Sequence, residues 1–188
     1  MMKYFILFGP PGAGKGTQAT AMAEKFNLCH ISTGALLREE IKAETELGKI
    51  AAGLINEGKL VPNELVVSMM ASHFEKVKGV DGFLLDGFPR TVEQAISLDN
   101  LLAERGEAVS NVLSIMIPDE MIVERIQGRA AVEGRADDAD ISIIRQRIET
   151  YHSQTEPLIE YYQEKGLYKE VDGKGSIEQV REAIFAIL

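Results

Sequence analysis

Cysteine and tryptophan are almost absent from this sequence. It contains one cysteine, Cys29, and no tryptophan among 188 residues. A single thiol excludes an intramolecular disulfide and any zinc site built from several cysteines. Chains without disulfides are typical of reducing compartments. We therefore expect a cytoplasmic protein that holds no zinc, and we expect Cys29 to be a small buried apolar residue.

Long apolar runs are also missing. No stretch approaches the roughly 20 apolar residues that are needed to cross a bilayer. The first residues, MMKYFILFGPPG, contain a short apolar run that leads into glycines rather than into a small-residue cleavage site. We expect neither a membrane span nor a secretory signal.

Basic residues are fewer than acidic ones. The 20 Lys and Arg residues against 29 Asp and Glu residues give a net charge of −9. Such a surface repels duplex nucleic acid and anionic lipid, so neither is an expected partner. The hydrophobic fraction of 45% and the charged fraction of 26% are those of an ordinary globular protein. The length fits one compact domain over 1–188.

The arginines are unevenly distributed against this acidic background. Five of the nine lie in a short window, namely Arg125, Arg129, Arg135, Arg145 and Arg147. Such clustering favours a small anion-binding site. A helix surface covered with ion pairs is the alternative interpretation of this feature.

Apolar runs of strand length alternate with segments of helical pattern along the chain. The predicted strands are 4–8, 29–31, 82–85, 109–117 and 167–171. The predicted helices are 14–26, 34–43, 46–57, 63–76, 91–105, 118–128, 139–165 and one from 176. We predict that Asn63, after Pro62, and Thr91 cap the helices that follow them and that Ser176 begins the closing helix.

This alternation predicts a three-layer, doubly wound α/β fold with five parallel strands. Such sheets bind ligands at the carboxyl ends of their strands. Two segments, 32–61 and 128–138, contribute little to the alternation, so we interpret them as insertions over the sheet edge. The remaining segments, 1–31, 62–127 and 139–188, then form the core.

A glycine-rich segment, GPPGAGKGT over 9–17, directly follows the first strand and opens a helix. This is the context of a P-loop, in which backbone N–H groups, the helix dipole and a lysine hold phosphate groups. The residues expected around the phosphates are Gly12, Ala13, Gly14, Lys15, Gly16 and Thr17. Because Gly16 follows the lysine, the hydroxyl of Thr17 comes one position late, and we expect it to reach Mg²⁺ through water. A glycine turn without a ligand is the alternative.

A second motif, FLLDGFPRT over 83–91, delivers a carboxylate to the end of a strand. In P-loop enzymes an aspartate at this position orders Mg²⁺ and its waters, which is the role expected for Asp86. Pro89 fixes a turn that aims Arg90 across the cleft. Taken alone, an aspartate at the end of a strand is more often a helix cap or a turn residue, and the P-loop is what favours the metal-binding role for Asp86.

With these motifs in place, the sequence resembles the adenylate kinases, within the nucleoside-monophosphate kinases. The resemblance runs end to end through GPPGAGKGTQ, ISTGALLR, GKLVPNELV, LDGFPRTVEQA, IPDEMIVERIQGR, EGRADD, RIETYHSQTEPLIEYY and VDGKGSIEQV. It implies the reaction ATP + AMP ⇌ 2 ADP with Mg²⁺, in a monomer. It also implies a monophosphate-binding insertion over 32–61 and a short lid over 128–138.

The resemblance also implies roles for individual residues. Arg38 and Arg90 would hold the AMP phosphate, Arg129 would lie on the ATP side, and Arg135 and Arg147 would reach the transferring phosphates. With Lys15 and Arg125, these arginines form the expected catalytic cations. The remaining AMP contacts would come from Thr33, Lys59, Leu60, Val61, Gly87, Phe88, Pro89 and Gln94. Gly175 would touch the ATP adenine through its backbone.

Some positions allow a second interpretation. Arg145 and Arg147 are two apart, so both cannot face the cleft, and the family pattern selects Arg147. Gln94 could be a solvated helical residue rather than a reader of adenine. His30, His73 and His152 are interpreted as structural. Ala35 and Asn63 replace aspartates common in the family, so lost or altered helix capping, rather than lost activity, is expected there.

Two rival functions remain at this point. The first is a kinase for UMP or CMP, but such kinases resemble Ser-Ala-Gly where this chain has Ser-Thr-Gly around Thr33, and they carry Asn rather than Gln94. The second is a P-loop switch such as a GTPase. That function needs an Asn-Lys-x-Asp guanine motif, which this sequence lacks.

Overall fold

The computed structural model describes residues 2–133 and 140–188, without the side chains of 130–133. Five parallel strands form one sheet in the order β2-β3-β1-β4-β5. The strands are β1 (Lys3–Phe8), β2 (Leu28–Ser32), β3 (Gly82–Asp86), β4 (Asn111–Met116) and β5 (Tyr168–Asp172). The predicted doubly wound α/β fold is confirmed.

Helices connect these strands. They are α1 (Lys15–Phe26), α2 (Thr33–Lys42), α3 (Glu46–Asn56), α4 (Asn63–Lys76), α5 (Val92–Ala103), α6 (Asp119–Glu133), α7 (Ile141–Thr150), α8 (Leu158–Glu164) and α9 (Ile177–Ile187). A π-helical turn, Tyr151–Thr155, lies between α7 and α8. No helix within the described ranges is long and apolar enough to cross a membrane.

Both faces of the sheet are buried, as the continuous apolar runs of the strands predict. Along β1, Tyr4, Ile6 and Phe8 pack into one apolar cluster. The alternate residues Phe5 and Leu7 pack into a second cluster on the opposite face. The sheet is therefore the middle of three layers.

The strand register brings three chain segments to one edge of the sheet. Leu7 of β1 and Ser32 of β2 both lie opposite Asp86, the last residue of β3. The glycine-rich loop after β1, the start of α2 after β2 and the DGFPR loop after β3 therefore meet at the carboxyl ends of the strands. This is where open α/β sheets bind ligands.

Helix starts follow the predicted caps at Thr91 and Ser176. The Thr91 hydroxyl accepts the N–H of Gln94, and Ser176 forms a reciprocal capping box with Gln179. Helix α4 begins at Asn63 as predicted, but the prediction that Asn63 caps it is wrong, because Asn63 is the first helical residue and its side-chain amide donates to the Ser97 hydroxyl. Pro62 precedes the helix, since its fixed φ suits a helix start.

Ala35, which replaces an aspartate common in the family, lies in the first turn of α2. The Ser32 hydroxyl accepts the backbone N–H of Ala35 and caps the helix. The start of α2 is therefore capped although position 35 is an alanine. Cys29, on the edge strand β2, is partly rather than fully buried, and burial raises the pKa of its thiol.

Two predicted helix boundaries differ from the structure. Helix α6 continues past Gly128 to Glu133, so the first residues of the predicted lid segment are helical. The predicted continuous helix 139–165 is divided by the π-helical turn. Pro157 has no N–H to donate, and just before it the N–H of Glu156 bonds the carbonyl of Tyr151, five residues back.

Candidate active site

The glycine-rich loop turns sharply from β1 into α1. Gly14 precedes α1 with φ +88°, a left-handed conformation that disfavours other residues. At Gly9, with φ +144°, a Cβ would lie 2.3 Å from the carbonyl oxygen of Ile115 on β4. Glycine is required there because the loop passes directly against the neighbouring strand. The loop therefore leaves the sheet with its backbone N–H groups at the start of α1.

Lys15 lies across the mouth of this loop. Its Nζ donates to the carbonyl oxygens of Gly9 at 2.9 Å and Pro10 at 3.0 Å. The pKa of Lys15 is lowered to about 8, mainly by burial and also by the positive charges of Arg90 and Arg147, while Asp86 opposes the shift. An ammonium group that is desolvated and surrounded by other cations is suited to bind an anion.

Asp86 presents a carboxylate beside the loop. The residue is 8% exposed, and its Oδ2 lies 3.3 Å from Nε2 of His30. A Cβ added at Gly16 would lie 3.8 Å from the same oxygen, so the carboxylate faces the first turn of α1. Thr17 is exposed in that turn.

The donors around Asp86 fit Mg²⁺ rather than a metal held by protein side chains alone. Mg²⁺ keeps several waters and binds one or two carboxylates together with substrate phosphates. Within the described ranges, no group of three or more His, Cys, Asp or Glu side chains is arranged to hold a metal. A single carboxylate next to a phosphate-binding loop is consistent with a metal that arrives with a nucleotide.

The loop after β3 fixes Arg90. Its Nε donates to the carbonyl of Gly87 at 2.7 Å, and the Thr33 hydroxyl donates to the same oxygen at 2.9 Å. The pKa of Arg90 is lowered to about 10, mainly by burial and also by the nearby charges of Arg147 and Arg38. Three arginines from three elements therefore lie close enough to affect one another.

Gln94 is oriented by the backbone. Its side chain is buried, and its Oε1 accepts the N–H of Arg90 at 2.8 Å. Because the carbonyl end of the amide is engaged there, the NH₂ group is the end left to act as a donor. The alternative interpretation, a solvated helical glutamine, does not match this burial.

One cleft collects most of the predicted phosphate and AMP residues. Its walls include Lys15, Thr33, Arg38, Lys59, Leu60, Val61, Gly87, Pro89, Arg90, Gln94 and Arg147. Phe88 is buried in the core behind it, at 1% exposure. Arg145 is exposed, while Arg147, two positions on, lines the cleft.

Part of the cleft wall was not predicted from the sequence. Thr150, Tyr151 and Thr155, at the end of α7 and in the π-helical turn, line it as well. The buried Thr150 hydroxyl donates to the carbonyl of Gly58 at 3.1 Å, across a separation of 92 residues. The polar block TYHSQT, which begins three positions after Arg147, was the available sign, but a contact so distant in sequence has no local pattern.

Arg125, Arg129 and Gly175 do not line this cleft. Nη2 of Arg125 donates to the carbonyl of Gly173 at 2.9 Å, in the loop between β5 and α9 that also carries the exposed Gly175. Arg129, one helical turn after Arg125, is near enough to lower the pKa of Lys15. Arg135 lies outside the described residues.

A phosphate-binding loop and three arginines that line one cleft are the arrangement of a phosphotransferase. The family model described as "Adenylate kinase" matches residues 7–167. An adenylate kinase from Phocaeicola vulgatus is 46% identical over 185 residues, which cover 98% of this chain and 95% of the relative.

Two further relatives give the same result. An adenylate kinase from Porphyromonas gingivalis is 44% identical over 183 residues, covering 97% of this chain and 94% of its own length. One from Stenotrophomonas maltophilia is 43% identical over 183 residues, covering 97% of each chain. The chain therefore belongs to the adenylate kinase family and is a nucleoside-monophosphate kinase.

Proposed function

We propose that this chain transfers the terminal phosphoryl group of ATP to AMP, in the presence of Mg²⁺, with the cleft cations as its catalytic groups. The observation that carries the proposal is the convergence of Lys15, Arg38, Arg90 and Arg147 on one cleft from four separate segments. Phosphoryl transfer depends mainly on positioning and on neutralising charge, which such cations supply.

The acceptor chemistry explains why cations suffice. The phosphate of AMP is already an anionic nucleophile, so no general base is required. Arg38 and Arg90 hold this phosphate, and Arg147 bridges toward the transferring group together with Arg135. Burial and the charges of Arg147 and Arg38 lower the pKa of Arg90, which supports an anion at this point, because a bound polyanion relieves the repulsion.

The adenine of AMP lies against the wall formed by α2, α5 and the segment 59–61. Lys59, Leu60 and Val61 supply backbone and apolar contacts, and Thr33 stabilises the pocket through its bond to Gly87. Gln94 directs its NH₂ group to an acceptor on the base, since its Oε1 is held by the backbone of Arg90.

ATP binds on the other side of Lys15. The backbone of 12–17 surrounds its phosphates, Arg129 adds charge, and Arg125 shapes the adenine site through the Gly173 carbonyl that precedes Gly175. Asp86 and Thr17 hold the Mg²⁺ that accompanies ATP through its waters. The metal supplies charge neutralisation on the phosphate oxygens.

The same proposal assigns each segment of the chain to a part of the enzyme. Segment 32–61, which contains the packed pair α2 and α3, is the monophosphate-binding insertion, and 128–138 is the lid. The remaining segments form the core. We propose a cytoplasmic monomer that maintains the balance among ATP, ADP and AMP and needs no zinc.

The test is an ADP-forming assay with ATP and a panel of AMP, UMP, CMP and GMP. We expect kcat/KM for AMP to exceed the other values by at least about 10²-fold, because a site built to hydrogen-bond one base leaves buried polar groups unpaired with another. A preference for UMP or CMP would contradict the choice of acceptor. Nucleotide binding without any transfer would indicate a binding module instead.

A further inference from the structure

His30 lies beside the active-site carboxylate. It lies on the edge strand β2, opposite Leu84 of β3, which is two residues before Asp86. Because side chains two residues apart on a strand point to the same face, His30 and Asp86 share one face of the sheet. Nε2 of His30 is 3.3 Å from Oδ2 of Asp86. Their side chains are 24% and 11% exposed, so the contact is shielded from most solvent competition.

The chemistry of the pair fixes the direction of the hydrogen bond. A carboxylate only accepts, so Nε2 of His30 carries the proton and donates to Oδ2. Oδ2 is also the oxygen that faces Gly16 in the P-loop. A donor on this oxygen restricts rotation of the carboxylate about its χ2 bond, which is otherwise a broad torsion.

The other two histidines have no comparable position. Nδ1 of His73 lies 3.1 Å from the carbonyl of Met69 within α4. His152 is between the surface carboxylates of Asp119 and Glu156. Among the three, His30 is the one whose partner ends a strand at the phosphate-binding edge.

We propose that His30 is a positioning residue that orients the Asp86 carboxylate toward the hydrated Mg²⁺ of the nucleotide complex. The proposal rests on the proposed function, in which Asp86 holds that metal through water. It departs from the interpretation of His30 as purely structural. Hydrogen-bond partners of metal-holding groups commonly tune a metal site in this way.

The experiment compares His30→Gln, His30→Leu and His30→Asn. Glutamine can place an N–H donor near the same point, whereas leucine has no donor and asparagine is too short to reach Oδ2. We expect H30L and H30N to lower kcat about tenfold with little change in KM for AMP or ATP, and H30Q to stay near wild type. H73L is the matched control and should retain wild-type kinetics.

A spectroscopic measurement separates positioning from folding. With Mn²⁺ replacing Mg²⁺ in the enzyme–ATP complex, we expect the electron paramagnetic resonance lines to broaden in H30L and H30N but not in H30Q. Urea unfolding of each variant reports stability independently. If H30L does not fold, the comparison of H30N with H30Q provides the same test.

Three results would overturn the proposal. These are unchanged kcat and Mn²⁺ lines in H30L and H30N, equal damage in H30Q and H30L, or a loss of stability without any change in the Mn²⁺ spectrum. Wild-type turnover of AMP in the same assays tests the proposed function separately. The Mn²⁺ spectra with ATP alone still decide the role of His30 if AMP is not the acceptor.

Discussion

The choice between Arg145 and Arg147 is decided by which side of α7 faces the cleft. Arg147 lines the cleft and lowers the pKa of both Lys15 and Arg90, whereas Arg145 is exposed. We predict that Arg147→Ala lowers kcat about 10²- to 10³-fold, because a preorganised cation at the transferring phosphate is lost.

Arg145→Ala is the control, since it removes the same group from the same helix outside the cleft. Its kcat should remain within about twofold of wild type. Both variants are measured by ADP formation at saturating ATP and AMP. Comparable losses in the two variants would show that the helix, rather than the cleft cation, is responsible.

At the scale of an element, α3 contains two glycines with opposite requirements. A Cβ at Gly48 would lie 2.0 Å from the carbonyl oxygen of Glu40 in α2, while a Cβ at Gly53 meets nothing within 4 Å. Gly48→Ala should therefore lower the free energy of unfolding by about 2 kcal/mol or more, because α2 and α3 must move apart.

Gly53→Ala in the same helix should raise the free energy of unfolding by about 0.5–1 kcal/mol, since alanine restricts the unfolded chain. Urea unfolding at one pH measures both changes. If G48A were as stable as G53A, the close contact between the helices would not be a constraint on folding.

His152 connects the π-helical turn to the start of α6. Nδ1 lies 3.0 Å from Glu156 and Nε2 lies 3.0 Å from Asp119, so both ring nitrogens face carboxylates, and only the imidazolium donates to both. The hydrogen bond to Glu156, followed by that to Asp119, raises the pKa of His152.

A raised pKa in the folded state gives stability that is complete below the unfolded value of about 6.5 and is lost as the pH rises through the folded value. Because the groups are largely exposed, we expect less than about 1 kcal/mol. The difference in urea stability between wild type and His152→Gln should be positive at pH 5.5 and shrink at pH 8.5. A constant difference would contradict this.

The sequence predicted the elements whose cause is local and missed those whose cause is distant. Thr91 and Ser176 cap helices through bonds three residues away, so a short pattern suffices to find them. The part of the cleft wall formed by Thr150 depends on Gly58, which is 92 residues away. The predicted helix 139–165 is interrupted before Pro157. The sequence analysis missed this interruption because the segments before and after Pro157 both have a helical pattern.

At the scale of the whole molecule, the net charge is −9, yet one cleft is lined by several cationic side chains, including Lys15, Arg90 and Arg147. The acidic surface excludes nucleic acid polymers as expected partners but says nothing about small polyanions. Within the cleft, burial lowers the pKa of Lys15 and Arg90, and the charge of Arg147 acts in the same direction, so these cations repel one another when no anion is bound. Functional sites often oppose stability in this manner.

The trade between stability and function predicts that Arg147→Met, which keeps an aliphatic stem, raises the free energy of unfolding without nucleotide by about 1 kcal/mol. With a dinucleotide of two adenosines joined by five phosphates, wild type should become more stable than R147M. A ligand that binds only the folded state stabilises it by about 2.7 kcal/mol at a hundred times its Kd, and R147M should bind this ligand more weakly. Urea unfolding with and without this ligand measures both. Lower stability of R147M without ligand would mean that the contacts of Arg147 outweigh the repulsion.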